Sequence, residues 1–333
     1  MFRNREMKIG SYLGGVILAS LFFWQCRSVK TVTVFQQVQH PVDNESSLEK
    51  IELGRALFFD ERLSIDNSIS CASCHLPELA FTDGKVVSEG VGGRLTARNS
   101  PTILNSGYLT TVMFDAHLPT LEMQAIVPIQ EHVEMDMDMN ALIEKLKAVP
   151  EYQAAAKSVF GRDFDPWVLT RSIAAFERSL ISNNSRFDRY YYFGDQLALT
   201  ESEQAGWKLF SEKLYCTECH APPHFTSFEA ENNGLYTDYG EDKGRFRIHN
   251  DSLDIGMFKV PSLRNIALTS PYMHDGSMGS LDDVILHYSE GGAGHLLQSD
   301  IVKPFELNPH EVVQLKNFLG ALTDTSYMIN FRD

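Results

Sequence analysis

Two short stretches of the chain repeat one arrangement of reactive side chains. Cys71 and Cys74 are followed at once by His75, and Cys216 and Cys219 are followed at once by His220. Cys-x-x-Cys-His is the attachment signature of c-type haem. Two thiols at this spacing reach the two vinyl groups of one porphyrin, and the adjacent imidazole lies against its iron. Paired cysteines also suit structural disulfides or a Cys₄ zinc site. Neither explains a histidine after both pairs. A redox dithiol would want a thioredoxin-like βαβ setting, which the flanking sequence lacks. The spacing therefore predicts two covalently bound haem c groups, one on Cys71, Cys74 and His75, the other on Cys216, Cys219 and His220.

These trios need elements to carry them, and the sequence supplies a degenerate repeat. "LGRALF" precedes the first trio and "AGWKLF" the second; Pro101–Asn105 answers Pro261–Asn265. Phe114-Asp115 and His274-Asp275 then follow the two asparagines at equal offsets, as do Leu121 and Leu281 after the aspartates. Apolar residues at Ile51, Leu53, Leu57 and Phe58 mark a helix. Later helices are expected in "MNALIEKLKAV" and in "DPWVLTRSIAAFERSLI", the latter with Asp165 as cap and Pro166 at its first position. Thr200 with Glu203, and Asn308 with Glu311, read as capping boxes that open two more. Strand-like alternation is scarce. The expected fold is mostly α: two cytochrome c-like helical domains, one covalent haem c each, preceded by an export signal or lipid anchor.

The expected organisation is a signal or anchor segment at 1–26, a polar tether at 27–45, a first haem domain at 46–182, a linker at 183–197 and a second haem domain at 198–333. Arg3, Arg5 and Lys8 precede an uncharged, largely apolar run to Cys26, the pattern of an export signal. Cys26 is the one cysteine outside the trios, at a position suited to lipidation; an uncleaved anchor helix is the alternative. Both place the body of the chain outside the cytoplasm, in the periplasm, with membrane anchoring through the N-terminus. A net charge of −15 over 333 residues excludes a nucleic-acid binder, which would repel phosphate, and suits a basic protein partner.

Taken together, "LGRALFFDERLS", "SCASCH", "ARNSPTILN", "TLEMQAIVPI", "VEM", "CTECH", "FKVPSLRNIALTSPYMHDG" and "LDDVILHY" resemble, in this order, the bacterial di-haem cytochrome c peroxidase and MauG family. The resemblance spans nearly the whole chain after the N-terminal segment. It implies an active haem in the first domain and an electron-transfer haem in the second. It places the second-haem axial ligand fourteen residues after His274, at Tyr288; peroxidases of the family carry Met there and MauG carries Tyr. It implies that Glu134, in Val133-Glu134-Met135, is the acid–base group, with Gln124 and Pro128 lining the same pocket. Without the resemblance, Glu131 and Glu134 could not be ranked. Phe114 stands where the family usually holds an inter-haem Trp, and Phe is far harder to oxidise. Asn99, with the carbonyls of Thr269 and Pro271, matches the family's calcium site, an oxygen ligand set that suits Ca²⁺.

The repeat adds a reading of its own. Tyr288 lies thirteen residues after Asp275, and thirteen after Asp115 is Pro128, which has no ligating side chain. The loop 76–98 contains neither His nor Met. The first iron is thus expected to be open and the second to be held on both faces. The reading that follows is an exported peroxidase using hydrogen peroxide, fed by a small redox protein such as a cytochrome c or cupredoxin. Its alternatives are a MauG-like oxidase of a partner protein's side chain and a non-catalytic di-haem electron-transfer cytochrome. A pyridine haemochrome assay should return two haems per chain. Replacing Cys216 and Cys219 together with Ala should remove one and leave the other; a single haem in the unaltered chain would break the central reading.

Overall fold

Helix entry is written into the chain by side chains that accept hydrogen bonds from otherwise unpaired backbone N–H groups. Ser47 caps the helix Leu48–Phe58, and Asp165, followed by Pro166, caps Pro166–Ser179. Thr200 with Glu203 opens Glu201–Lys208, and Asn308 with Glu311 opens Pro309–Ala321. The caps at Asp165, Thr200 and Asn308 are those the sequence predicts; the structure adds Ser47. The computed structural model describes residues 34–331; the signal or anchor segment, Cys26 and the first part of the tether lie outside them. Among the described residues no helix is long and apolar enough to cross a membrane. The only ladder among them is antiparallel, Ala230–Glu231 against Phe258–Lys259.

The architecture is mostly helical and built twice. Helix Leu48–Phe58 packs against Pro166–Ser179, and Glu201–Lys208 packs against Pro309–Ala321. Both pairs cross at a glycine. A Cβ on Gly54 would stand 1.9 Å from the Ser172 carbonyl oxygen, and one on Gly206 would stand 2.0 Å from that of Gln314. Glycine inside a helix costs about 1 kcal/mol relative to alanine; here it lets two helix backbones touch. Each half has an apolar core of its own, one around Leu57, Leu142, Leu146 and Phe164, the other around Phe187, Phe210, Phe225 and Phe318.

The repeat extends to the turns. Asn105 and Asn265 both adopt left-handed backbone (φ 61° and 60°) and each opens a short 3₁₀ turn. Both converge on one residue between the halves: Asn105 Nδ2 donates to the Ser182 carbonyl at 2.8 Å, and Asn265 Nδ2 to the Ser182 hydroxyl at 2.8 Å. Met113 and Met273 repeat another left-handed position.

Two segments differ from expectation. The expected linker 183–197 holds a helix, Arg186–Tyr191, opened by a Ser185–Asp188 capping box. Phe187 and Asp188 are fully buried, and Asp188 takes the buried Arg264 guanidinium at 2.7 and 2.9 Å. Its polar residues are caps and a counter-charge, which composition alone reads as loop. The described part of the expected tether, 34–45, has no helix but is laid down on the body. Asn44 is fully buried and donates to Glu122 at 2.7 Å, while Phe35 packs edge-on against Tyr192 and His224. At the other end Tyr327 and Phe331 return to pack on Phe81 in the first half. Through these crossings the chain from Val34 onward is one compact unit carrying two cores.

Replacing Gly54 or Gly206 with Ala should cost about 1–3 kcal/mol, the range for overpacking, and lower the denaturation midpoint. Gly320→Ala is the control, because a Cβ there meets nothing within 4 Å. Equal stability of all three variants by circular dichroism would show that the helix crossings do not need glycine.

Candidate active site

Each trio histidine is locked by its own Nδ1. His75 Nδ1 lies 2.9 Å from the Phe81 carbonyl oxygen, and His220 Nδ1 lies 3.0 Å from that of Phe225. A carbonyl can only accept, so Nδ1 carries the proton and Nε2 is left with a free lone pair, the state a metal-ligating imidazole needs. Both phenylalanines hold left-handed backbone, φ 60° and 54°, which turns the carbonyl inward. The residue before each is held in turn: Thr102 Oγ1 donates to the Ala80 carbonyl at 2.6 Å and Ser262 Oγ to the His224 carbonyl at 2.7 Å. Burial lowers the pKa of both imidazoles, keeping them neutral.

Cys71, Cys74, Cys216 and Cys219 form no disulfide. Burial pushes the Cys216 thiol up to about 12 and Cys219 to about 11, the opposite of a redox dithiol. Among the described residues no group of three or more His, Cys, Asp or Glu could hold a metal ion, which leaves nothing for a Cys₄ zinc site. The second trio instead opens into a large cavity, walled by Phe210, Leu263, Ile285 and Leu319, that also contains Tyr288. Two thiols, a fixed neutral imidazole and an apolar slot are the donor set that a covalent haem requires.

Tyr288 lines this cavity half-buried, and burial raises its phenol pKa. Its oxygen lies 3.4 Å from Asn233 Nδ2, which donates to it and also faces Met273 Sδ at 3.5 Å. The adjacent His287 turns away, its Nε2 donating to the Asn233 carbonyl at 3.1 Å. Asn233 lies 55 residues from Tyr288 and carries no sequence signal of this role.

In the first half the structure separates the two glutamates that sequence could not rank. Glu131 is exposed, and Glu134 is half-buried, its carboxyl making no hydrogen bond among the described residues. Burial, then the nearby Glu131 charge, raises the Glu134 carboxyl to about 7. Glu134 is close enough to add to the raised pKa of both Cys71 and Cys74, in each case after burial. The loop 76–98 docks here: Val91 N–H donates to the Glu134 carbonyl at 2.8 Å, and a Cβ on Gly90 would stand 2.1 Å from the Val133 carbonyl oxygen. Gln124 ends the helix Leu121–Gln124, and Pro128 lies within Ile126–Gln130. His132 is on the surface between Arg94 and Asp136, and His117 stands near Asp115 and Arg247.

Between the halves lies a charged joint. Buried Asp115 pairs with Arg98 at 2.8 Å and with Arg247 from the second half, and Arg98 also clamps Asp242 at 2.5 and 2.6 Å. The Arg98 guanidinium lies against the Phe114 and Phe258 rings, and Phe258 stacks on His274 at 3.8 Å. Phe114 lines the cavity, and its carbonyl accepts from Lys259 N–H at 2.7 Å. Asn99, Thr269 and Pro271 line the same cavity, with Asn99 Nδ2 donating to the Lys85 carbonyl at 2.8 Å.

A profile of the di-haem cytochrome c peroxidase family matches residues 48–196. The methylamine utilization protein MauG of Methylorubrum extorquens AM1 is 37% identical over 289 residues, covering 86% of this chain and 82% of that protein. The cytochrome-c peroxidase IdrP1 of Denitromonas iodatirespirans is 34% identical over 322 residues, covering 87% and 85%. The crystal structure of a MauG-like protein associated with microbial copper homeostasis superposes with a TM-score of 0.85 at 35% identity, covering 90% of this chain and 96% of that one.

Tyr288→Phe removes the phenol oxygen and keeps the ring. In haem-loaded protein it should change the low-spin electron paramagnetic resonance signal and leave the other haem's signal alone, whereas His287→Ala should leave both. A low-spin signal that survives Tyr288→Phe intact would remove Tyr288 from the site.

Proposed function

The chain belongs to the di-haem cytochrome c peroxidase family, and we propose that it reduces hydrogen peroxide at the first trio, with the second as its electron store. It is a peroxidase-type oxidoreductase, as its cytochrome-c peroxidase relatives are named. Cys71, Cys74 and His75 would hold one haem c, and Cys216, Cys219 and His220, with Tyr288, would hold the other. When bound, the haems would supply irons that exchange electrons.

The observation that carries the reading is the environment of Glu134, a half-buried carboxyl without a partner among the described residues, whose pKa is raised to about 7 beside the first trio. Peroxide cleavage needs one group that accepts the proton of the near oxygen and returns it to the far oxygen, which then leaves as water. A carboxyl with a pKa near the working pH does both. Two electrons and two protons complete the reduction of peroxide to two waters. Gln124 and Pro128 shape the same pocket and exclude competing ligands. The loop 76–98 brings no His or Met, so the resting protein is open to peroxide without prior reduction.

The electrons come from a small redox protein, a cytochrome c or cupredoxin, outside the cytoplasm. Calcium held by Asn99, Thr269 and Pro271 would join loop 76–98 to the second half, where these residues share a cavity wall. A second reading, oxidation of a partner protein's side chain, is favoured by Tyr288, the residue that MauG carries at this position. Phe114 is too hard to oxidise to serve easily as a hopping station between the halves under either reading, which leaves tunnelling through its packed ring.

The test is peroxide turnover by the oxidised, as-isolated protein with and without a reduced cytochrome c. Glu134→Gln should lower turnover by about 10²- to 10⁴-fold, and Glu131→Gln should change it little. The ionised carboxylate is the proton acceptor, so the wild-type rate should rise with pH through about 7 and level off above it, and Glu134→Gln should lose that limb. Near-native turnover in Glu134→Gln with intact haem spectra would overturn the assignment. Turnover independent of a donor protein would favour the second reading.

A further inference from the structure

One charged side chain in the second cavity has no role in the reading so far. Lys259 lies on the strand Phe258–Lys259, its N–H donating to the Phe114 carbonyl at 2.7 Å and its Cα opposite Ala230. The flanking residues are fixed as well: Phe258 stacks on His274, and Val260 N–H donates to the Glu229 carbonyl at 2.8 Å. The backbone is thus held from both sides, and the side chain lines the cavity that contains His220 and Tyr288.

The ammonium has no counter-charge. Among the described residues Lys259 makes no salt bridge, and its side chain makes no hydrogen bond. Burial alone, with no carboxylate contributing, pushes its pKa down to about 8. Glu231 also lines the cavity, but its ladder partner is Phe258. Side chains alternate along a strand, so Glu231 projects from the face opposite to Lys259. Lys303, the other lysine of the lining, is exposed. Lys259 is half-buried, and an ammonium partly withdrawn from water without a partner is unfavourable unless whatever fills the cavity brings a negative charge.

We propose that Lys259 is the counter-ion of a haem propionate in the second cavity. The inference rests on covalent haem at Cys216, Cys219 and His220. The cysteines take the two vinyl groups, so the anionic groups left on the porphyrin are its two propionates. A strand lysine beside the Phe114 carbonyl anchors one carboxylate next to the residue between the halves. An ammonium near the iron also disfavours the ferric state, whose extra positive charge it repels.

The experiment uses the full haem-loaded chain with Lys259→Met, Lys259→Arg and Lys303→Met. It reads haem per chain, the midpoint potential of the second haem by titration of its low-spin bands, and the propionate bending band by resonance Raman. Lys259→Met should keep two haems, shift the second midpoint lower than wild type and move the propionate band. Lys259→Arg should restore both, and Lys303→Met should shift the midpoint much less. Wild-type potential and propionate band in Lys259→Met would overturn the proposal, as would an equal shift in Lys303→Met. Should Lys259→Met lose the second haem, Lys259→Arg decides: full haem at the wild-type potential supports a charge role, and the same loss overturns it. Absence of a second haem from the wild-type chain would instead overturn the haem reading itself.

Discussion

A hydrogen bond from a histidine Nδ1 to a backbone carbonyl is the constraint on which each half is organised. It fixes the imidazole tautomer, so that Nε2 is the free nitrogen, and it fixes the ring's direction. The carbonyls of Phe81 and Phe225 reach the ring only because both residues hold left-handed backbone, a conformation a bulky residue adopts at a cost. Buried packing holds them there: both rings are fully buried, and Thr102 and Ser262 hold the preceding carbonyls. The turn, the threonine or serine and the asparagine that follows recur in order in both halves. The histidine lock is therefore the unit that is repeated, and the helices are its frame.

The frame is stiff where the helices cross at Gly54 and Gly206, because backbone meets backbone there without intervening side chains. Relative placement of the two halves follows from polar joints together with an apolar cluster in which Tyr327 and Phe331 pack on Phe81. Asn105 and Asn265 both bond to Ser182, and Asp324 accepts the N–H groups of Asn183 and Asn184 at 2.9 Å. Arg98, Asp115, Asp242 and Arg247 form the second joint, around the Phe114 and Phe258 rings. A buried carboxylate such as Asp115 tolerates no loss of its arginines, since an unpaired charge there would be uncompensated. This arrangement holds the two halves in a fixed relation around the Phe114 ring.

The halves diverge at their open faces. In the second, Tyr288 and Asn233 line the same cavity as Cys216 and Cys219. In the first, the equivalent position is Pro128, and the polar group available is Glu134, set by the docking of loop 76–98 onto its own backbone. The two halves thus repeat one histidine lock and differ in the side chains around it. The single-unit character of the body comes from its ends: Phe35 packs on the second half, and Tyr327 and Phe331 on the first.

Local chemistry was legible in the sequence. The trios, three of the helix caps and the internal repeat follow from spacing, because each depends on residues within a few positions of one another. The assignment of Tyr288 and Glu134 drew on family resemblance, since nothing within their own neighbourhoods marks them. Three matters were decided by tertiary structure alone. Glu131 and Glu134 are three residues apart with the same chemistry, and only burial distinguishes them. The segment 183–197 reads as a polar linker until Asp188 meets Arg264, 76 residues away, and its charge becomes an interior ion pair. Lys259 has no marked role in the sequence, and only the ladder with Ala230 turns it into a cavity. In each case the deciding quantity is solvation, which depends on what the rest of the chain places around a residue and which a linear pattern does not contain.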